Sequence, residues 1–148
     1  MTPTADRLDQ ARKLAYQQPV RSRELAASVA DSARATGDRS SCARACWLVA
    51  LGDVRVGSMA DAIAALDEAR RLFAEDGDSH GERLCEEVQA IALRRDGDLG
   101  GCRALLDDID RRHSLPLDDF DSFVVHDSRA LTLKSLGLTD RALSHFYA

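Results

Sequence analysis

The sequence predicts an all-α fold, a right-handed solenoid of about four helix hairpins, and three observations carry that expectation. First, six columns of residues recur at a spacing of 40. They are Gly57, Gly97 and Gly137; Ala62, Cys102 and Ala142; Leu66, Leu106 and Phe146; Asp38, Asp78 and Asp118; Ala50, Ala90 and Ala130; and Leu51, Ile91 and Leu131. A fixed period of roughly 20–50 residues marks a unit that cannot bury its apolar face alone and must stack on its neighbours. Second, Ala, Leu, Arg and Asp dominate while aromatics reach only 5%, a balance that favours helix over sheet. Third, Gly, Pro and capping residues punctuate the apolar-periodic stretches where helices should start and stop. The repeats fall at about 4–38, 40–78, 79–117 and 118–148, and no linker or low-complexity run divides them, so residues 1–148 read as one domain.

Taken in order, residues 4–18 place Leu8, Ala11, Leu14 and Ala15 at helical spacing. Pro19 suits the first turn of the next helix, where its missing N–H costs nothing. That helix presents Leu25, Ala26, Val29 and Ala33 and ends at Gly37, a natural left-handed cap. A third helix runs from Ser40–Ser41 to Gly57. Ser58 then caps a helix over Met59–Asp76, with Asp61 completing a capping-box-like pair. In it Met59, Ile63, Leu66 and Phe73 form an apolar stripe beside a smooth strip of Ala62, Ala65 and Ala69. The strip lets two helices approach closely. S79-H-G-E82 reads as a capping box for a fifth helix, with Leu84, Val88, Ile91 and Ala92 buried, reaching Gly97. The sixth, Leu99 to about Arg112, starts weakly, because Gly100 and Gly101 each cost about 1 kcal/mol relative to Ala. Pro116 breaks the link that follows. A further helix carries Phe123, Val124, Leu131 and Leu133, and Thr139 caps a last one that stops at Ala148 after barely two turns.

Composition removes several classes of function. The net charge is -5, and no segment concentrates Lys or Arg away from acids, which argues against nucleic acid or an anionic membrane as partner. No apolar run approaches a membrane span and no signal-peptide pattern opens the chain, so a cytoplasmic location is the default expectation. Cys42, Cys46, Cys85 and Cys102 show no C-x-x-C spacing. Cys42 and Cys46 would lie one helical turn apart and could share a metal, but no His sits near them, and buried packing is the stronger reading. Cys102 shares a column with Ala62 and Ala142 and reads as a small packing residue. No metal and no cofactor is expected.

A small residue in the first helix of each unit, a turn Gly, an A-x-x-x-L-x-x-A second helix and a closing Gly-Asp resemble a tetratricopeptide-type (TPR-like) repeat. Ala62, Leu66 and Ala69 carry the second-helix pattern, followed by Cys102, Leu106 and Ile109. The likeness covers the chain, strongly at residues 40–78 and weakly at 1–37. It departs in its period of 40 and in closing on Gly-Asp or Leu-Asp where the standard repeat has Pro. Long-period repeats of this kind resemble input regions of bacterial signalling proteins such as diguanylate cyclases and large transcriptional regulators. That resemblance implies a sensory or protein-interaction role in signal transduction, upstream of an output domain whose motifs do not occur in these residues. Because the last repeat stops two turns early, a longer parent protein is expected. Family members that clamp a chaperone C-terminus use Asn with Lys or Arg; this sequence has no Asn and only Lys13 and Lys134, which argues against that partner.

Beside the apolar stripe of the first helices runs a second column: Trp47, Glu87 and Asp127, and one heptad on, Val54, Arg94 and Lys134. If this flank faces a concave groove, it offers an aromatic anchor and mixed charge, and Trp is the residue most enriched at binding hot spots. The plainer alternative makes Trp47 a seam filler and the charges a solvated face. His80, His113, His126 and His145 lie in different repeats without a metal or acid–base arrangement. D107-D-I-D110 and D118-D-F-D121 lack the turn Gly and bidentate Glu of a calcium loop. With no phosphate loop and no local nucleophile signature, the chain reads as non-enzymatic. The expected partner is a protein, a peptide, a small signal molecule or a second copy of the chain; a structural spacer or dimerisation element is the rival reading.

Overall fold

The computed structural model describes residues 3–15, 17–113, 126, 129–130, 132–134 and 137. Among them every regular element is a helix, in the order α1 (Pro3–Leu14), α2 (Pro19–Thr36), α3 (Arg39–Val56), α4 (Met59–Glu75), α5 (Ser79–Arg95) and α6 (Leu99–Arg112). No helix among the described residues is long and apolar enough to cross a membrane. The chain forms two compact units, Met1–Val88 and Gln89–Ala148. The expectations at Pro116, residues 118–125, Asp127, Leu131 and the helix from Thr139 to Ala148 lie outside the described residues.

Helix ends follow the local chemistry. Gly37, Gly77 and Gly97 sit at φ of 73, 66 and 86°, which only Gly adopts without a Cβ penalty. Each ends a helix with the same pair of hydrogen bonds. The amides of Gly37, Gly77 and Gly97 donate to the carbonyls of Arg34, Ala74 and Arg94. Those of Asp38, Asp78 and Asp98 donate to Ala33, Phe73 and Leu93. This is the Schellman closure of orphan carbonyls. The same three Asp side chains then accept from the amides of Ser41, Gly81 and Gly101, capping the next helix. Two residues thus stop one helix and start another. The cap of α5 is Asp78, one position before the Ser79 that the sequence suggested; a carboxylate there also complements the helix dipole. Ser58 caps α4 at the Asp61 amide as expected, 3.3 Å. Helix α1 ends at Leu14, short of residue 18, and Gln18, just before Pro19, sits outside the helical region at φ -137°, ψ 68°.

In the first unit α1 packs on α2 and α3, α2 on α3, and α3 on α4. Its core is made of Ala26, Val29, Ala30, Leu48, Leu51, Leu66, Ala69 and Phe73, all at most 5% exposed. The buried stripe of α4 is Ala62, Leu66, Ala69, Leu72 and Phe73. Ile63, expected in that stripe, is 49% exposed: Leu66 and Ala69 fix the buried face, and Ile63 falls beyond its edge. Polar ties join the helices. Buried Ser22 donates to the Ala11 carbonyl at 2.6 Å and Arg55 to the Ala15 carbonyl at 2.9 Å, closing the end of α1. Arg23 Nε donates to Asp53 Oδ1 at 2.5 Å, with the Asp53 side chain 1% exposed. Gly52 backs this pair: a Cβ there would lie 2.8 Å from the Arg23 Cβ.

In the second unit Ala90, Cys102, Leu106, Ile109 and Leu133 form the core, with Leu93 and Leu105 packed against it. Cys102 is fully buried, as its column predicts. Arg129, nearly buried, donates to Asp110 at 2.5 Å.

Candidate functional site

The densest group of chemically able side chains lies where α2, α3 and α4 meet in the first unit. Cys42 and Cys46 occupy successive turns of one face of α3, their Sγ atoms 4.0 Å apart. Glu68 reaches them from α4, its Oε2 3.9 Å from Cys42 Sγ. One donor atom from each of the three residues lies within 4.8 Å of the others. Arg34, from α2, grips Glu68 with both arms, Nε to Oε2 at 2.8 Å and Nη2 to Oε1 at 2.7 Å. Its Nη2 is also 3.7 Å from Cys46 Sγ, and Nη1 donates to Asp31 at 2.8 Å. Such a two-point clamp fixes the carboxylate in orientation as well as position.

The electrostatics follow from this geometry. The hydrogen bonds from Arg34 hold the Glu68 carboxyl below its usual value, and those bonds raise Arg34 in turn. Burial pushes both thiols upward, Cys46 more than Cys42. Cys85, elsewhere on α5, is pushed up to about 12, also by burial. A thiol raised in this way is a poor nucleophile, since the thiolate is the reactive form. A cavity of about 330 Å³ opens beside Cys42 and Glu68, lined also by Arg34, Asp38 and Arg71 among others. Its rim alternates in charge: Arg71 pairs with Glu75 at 3.2 Å, and Arg39 lies 3.6 Å from Glu75 and 3.7 Å from Asp76. A second cleft of about 590 Å³ lies between α1 and α2, lined by Gln10, Lys13, Leu14, Arg21, Glu24 and Leu25.

The column singled out in the sequence has a different setting. Trp47 is 1% exposed, Val54 2% and Glu87 5%, so these three are packed inside the first unit. The Arg44 guanidinium lies over the indole, 5.5 Å from its centroid. Trp47 Nε1 is buried and has no hydrogen-bond partner among the described residues. Glu87 lies 4.0 Å from Arg83 Nε on its own helix. Arg94 is half-buried and Lys134 exposed, both in the second unit, and Asp127 lies outside the described residues. Sequence reasoning paired Cys42 with Cys46 but missed Arg34 and Glu68. The one hint was that Glu68 directly precedes Ala69, at the edge of the buried strip of α4.

No family model, curated protein or solved structure matches this chain.

Proposed function

We propose that the chain is a non-catalytic TPR-like helical-repeat module, a solenoid of hairpins that recognises a protein, peptide or small signal molecule as the input side of a signalling protein. The observation that carries the reading is the Gly-Asp joint built three times with the same hydrogen bonds, at 37–38, 77–78 and 97–98. Tight joints of this kind are what stacked helical repeats need, and repeat proteins use the extended surface so formed for recognition. The cleft between α1 and α2 supports recognition: it lies within the roughly 300–1,000 Å³ of small-ligand sites and combines Leu14 and Leu25 with both signs of charge.

The test is capture of partners by the folded chain, compared with Lys13→Glu/Arg21→Glu. Both residues are exposed, so the thermal midpoint should stay within the range of a neutral surface change, about 0.5 kcal/mol. A partner held by the wild type and released by the variant at unchanged midpoint is the expected result. Self-association alone, seen by sedimentation at rising concentration with no partner retained, would overturn it and favour the spacer or dimerisation reading.

A further inference from the structure

We propose that Cys42, Cys46 and Glu68 form a binding site for a thiophilic divalent cation of the Zn²⁺ class, with Arg34 as the positioning residue of the carboxylate. The inference is independent of partner recognition: either can fail without the other.

Geometry is the main support. Zn–S bonds of about 2.3 Å at a tetrahedral angle place two sulfurs about 3.8 Å apart; Cys42 and Cys46 stand at 4.0 Å. With a Zn–O bond of about 2.0–2.2 Å, sulfur and oxygen should be about 3.5 Å apart; Cys42 Sγ and Glu68 Oε2 stand at 3.9 Å. Both edges come within a few tenths of an ångström of the metal-bound values, and the third, Cys46 Sγ to the Glu68 carboxylate, lies within 4.8 Å and closes as the carboxylate turns toward the cation. A disulfide fits less well. Residues one turn apart on a helix hold their Cβ atoms about 5–6 Å apart, against about 3.5–4.5 Å across a disulfide.

Charge and access agree with this. A carboxylate offers about four lone-pair sites, and Arg34 occupies two, so Glu68 can bridge guanidinium and cation. Ligating carboxylates are commonly held by such an outer hydrogen bond. Two thiolates and a carboxylate against a dication and the guanidinium leave the cluster neutral, which suits its buried walls. On binding, each thiol gives its proton to solvent and its sulfur lone pair to the metal; nothing is oxidised. Cys42 and Glu68 line the cavity, so a fourth position opens toward it for water, as three-ligand sites require.

The experiment titrates the reduced, metal-stripped full chain with Zn²⁺ by calorimetry and with Cd²⁺ by ultraviolet absorption. One equivalent should bind, with a thiolate-to-cadmium charge-transfer band. The band should vanish in Cys42→Ser and Cys46→Ser and persist in Cys85→Ser/Cys102→Ser. Glu68→Gln and Arg34→Gln should keep the band; Arg34→Gln should weaken affinity about 10–100-fold and Glu68→Gln, which removes a ligand, by more. Should the Cys42 or Cys46 variant fail to fold, wild-type alkylation rates mapped by mass spectrometry decide: Zn²⁺ should slow labelling of Cys42 and Cys46 further and leave the rates at the buried Cys85 and Cys102 unchanged. No binding by the folded wild type, a band that survives loss of Cys42 and Cys46, or labelling rates at Cys42 and Cys46 that Zn²⁺ leaves unchanged would overturn the site. Unchanged affinity in folded Arg34→Gln would remove Arg34 from it.

Discussion

Replacing Arg23 with methionine should destabilise the first unit more than replacing its partner Asp53, although the two share one ion pair. The Asp53 side chain is 1% exposed and that of Arg23 is 35% exposed. Met keeps much of the aliphatic stem of Arg23 and removes only the charged head. What remains is a carboxylate with no cation beside it and with Oδ2 already lacking a partner among the described residues. Breaking a buried pair from one side costs about 3–5 kcal/mol, and the partial exposure of Arg23 points to the lower end. In Asp53→Asn the guanidinium can turn to water, so the loss should be that of one charge-assisted hydrogen bond, about 1.5–3 kcal/mol. The double variant Arg23→Met/Asp53→Leu replaces both charges by apolar groups and should recover most of the loss, as apolar replacements of buried pairs do. Urea unfolding followed by circular dichroism provides the assay. With a slope of about 1–3 kcal/mol/M, a 3 kcal/mol loss moves the midpoint by at least about 1 M. If Arg23→Met costs no more than Asp53→Asn, or the double variant is worse than either single one, the buried-charge account is refuted.

Other expectations concern the same unit. Ala69→Leu forces bulk into a position with no exposure and should cost about 1–3 kcal/mol, whereas Ile63→Lys on the outward edge should stay within about 0.5 kcal/mol; equal midpoints would mean the buried face of α4 is misassigned. Arg34 lowers the folded pKa of Glu68 below its unfolded value of about 4.3, so this carboxylate stabilises the fold above that pH and the benefit is lost as pH falls through the lower folded value. The stability gap between wild type and Glu68→Gln should thus shrink as pH falls below the unfolded value, and a gap independent of pH would contradict the pairing. Alkylation near pH 8 should be slow at Cys46 and Cys85 in the folded chain and fast in denaturant, because burial raises both thiols. Rapid native labelling of either would count against their burial.

Helix positions were readable because their ends are encoded locally. Pro19, Ser58 and the Gly-Asp pairs act on their own backbone within a few residues, so spacing alone locates them. The Ser79 misreading shows the resolution of that method: Asp78 and Ser79 are both good caps, and only the hydrogen bond to Gly81 tells them apart. Ile63 was misplaced because neighbouring apolar residues support two stripes about 100° apart, and packing against α3 chooses between them. The thiol cluster was half visible. Cys42 and Cys46 share a turn, but Glu68 and Arg34 come from other helices, and their meeting depends on how α2, α3 and α4 cross. No repeat column contains Arg34 or Glu68, because the contact occurs once while the columns record what recurs. Trp47 and Glu87 show the converse: a column can align residues whose common property is burial.

The Gly-Asp joints have a consequence for changes in chain length. A loop of many residues would absorb an insertion by bulging, but these joints contain no such slack. One residue added between Thr36 and Gly37 would either break the paired hydrogen bonds or advance everything after it by about 100° around the helix axis. Cys46 and Glu68 would then swing together away from Arg34 on α2, and the apolar face that α3 packs against α2 would turn toward water. Within the first unit α2 and α3 therefore behave as keyed shafts, their relative phase set at the coupling between them.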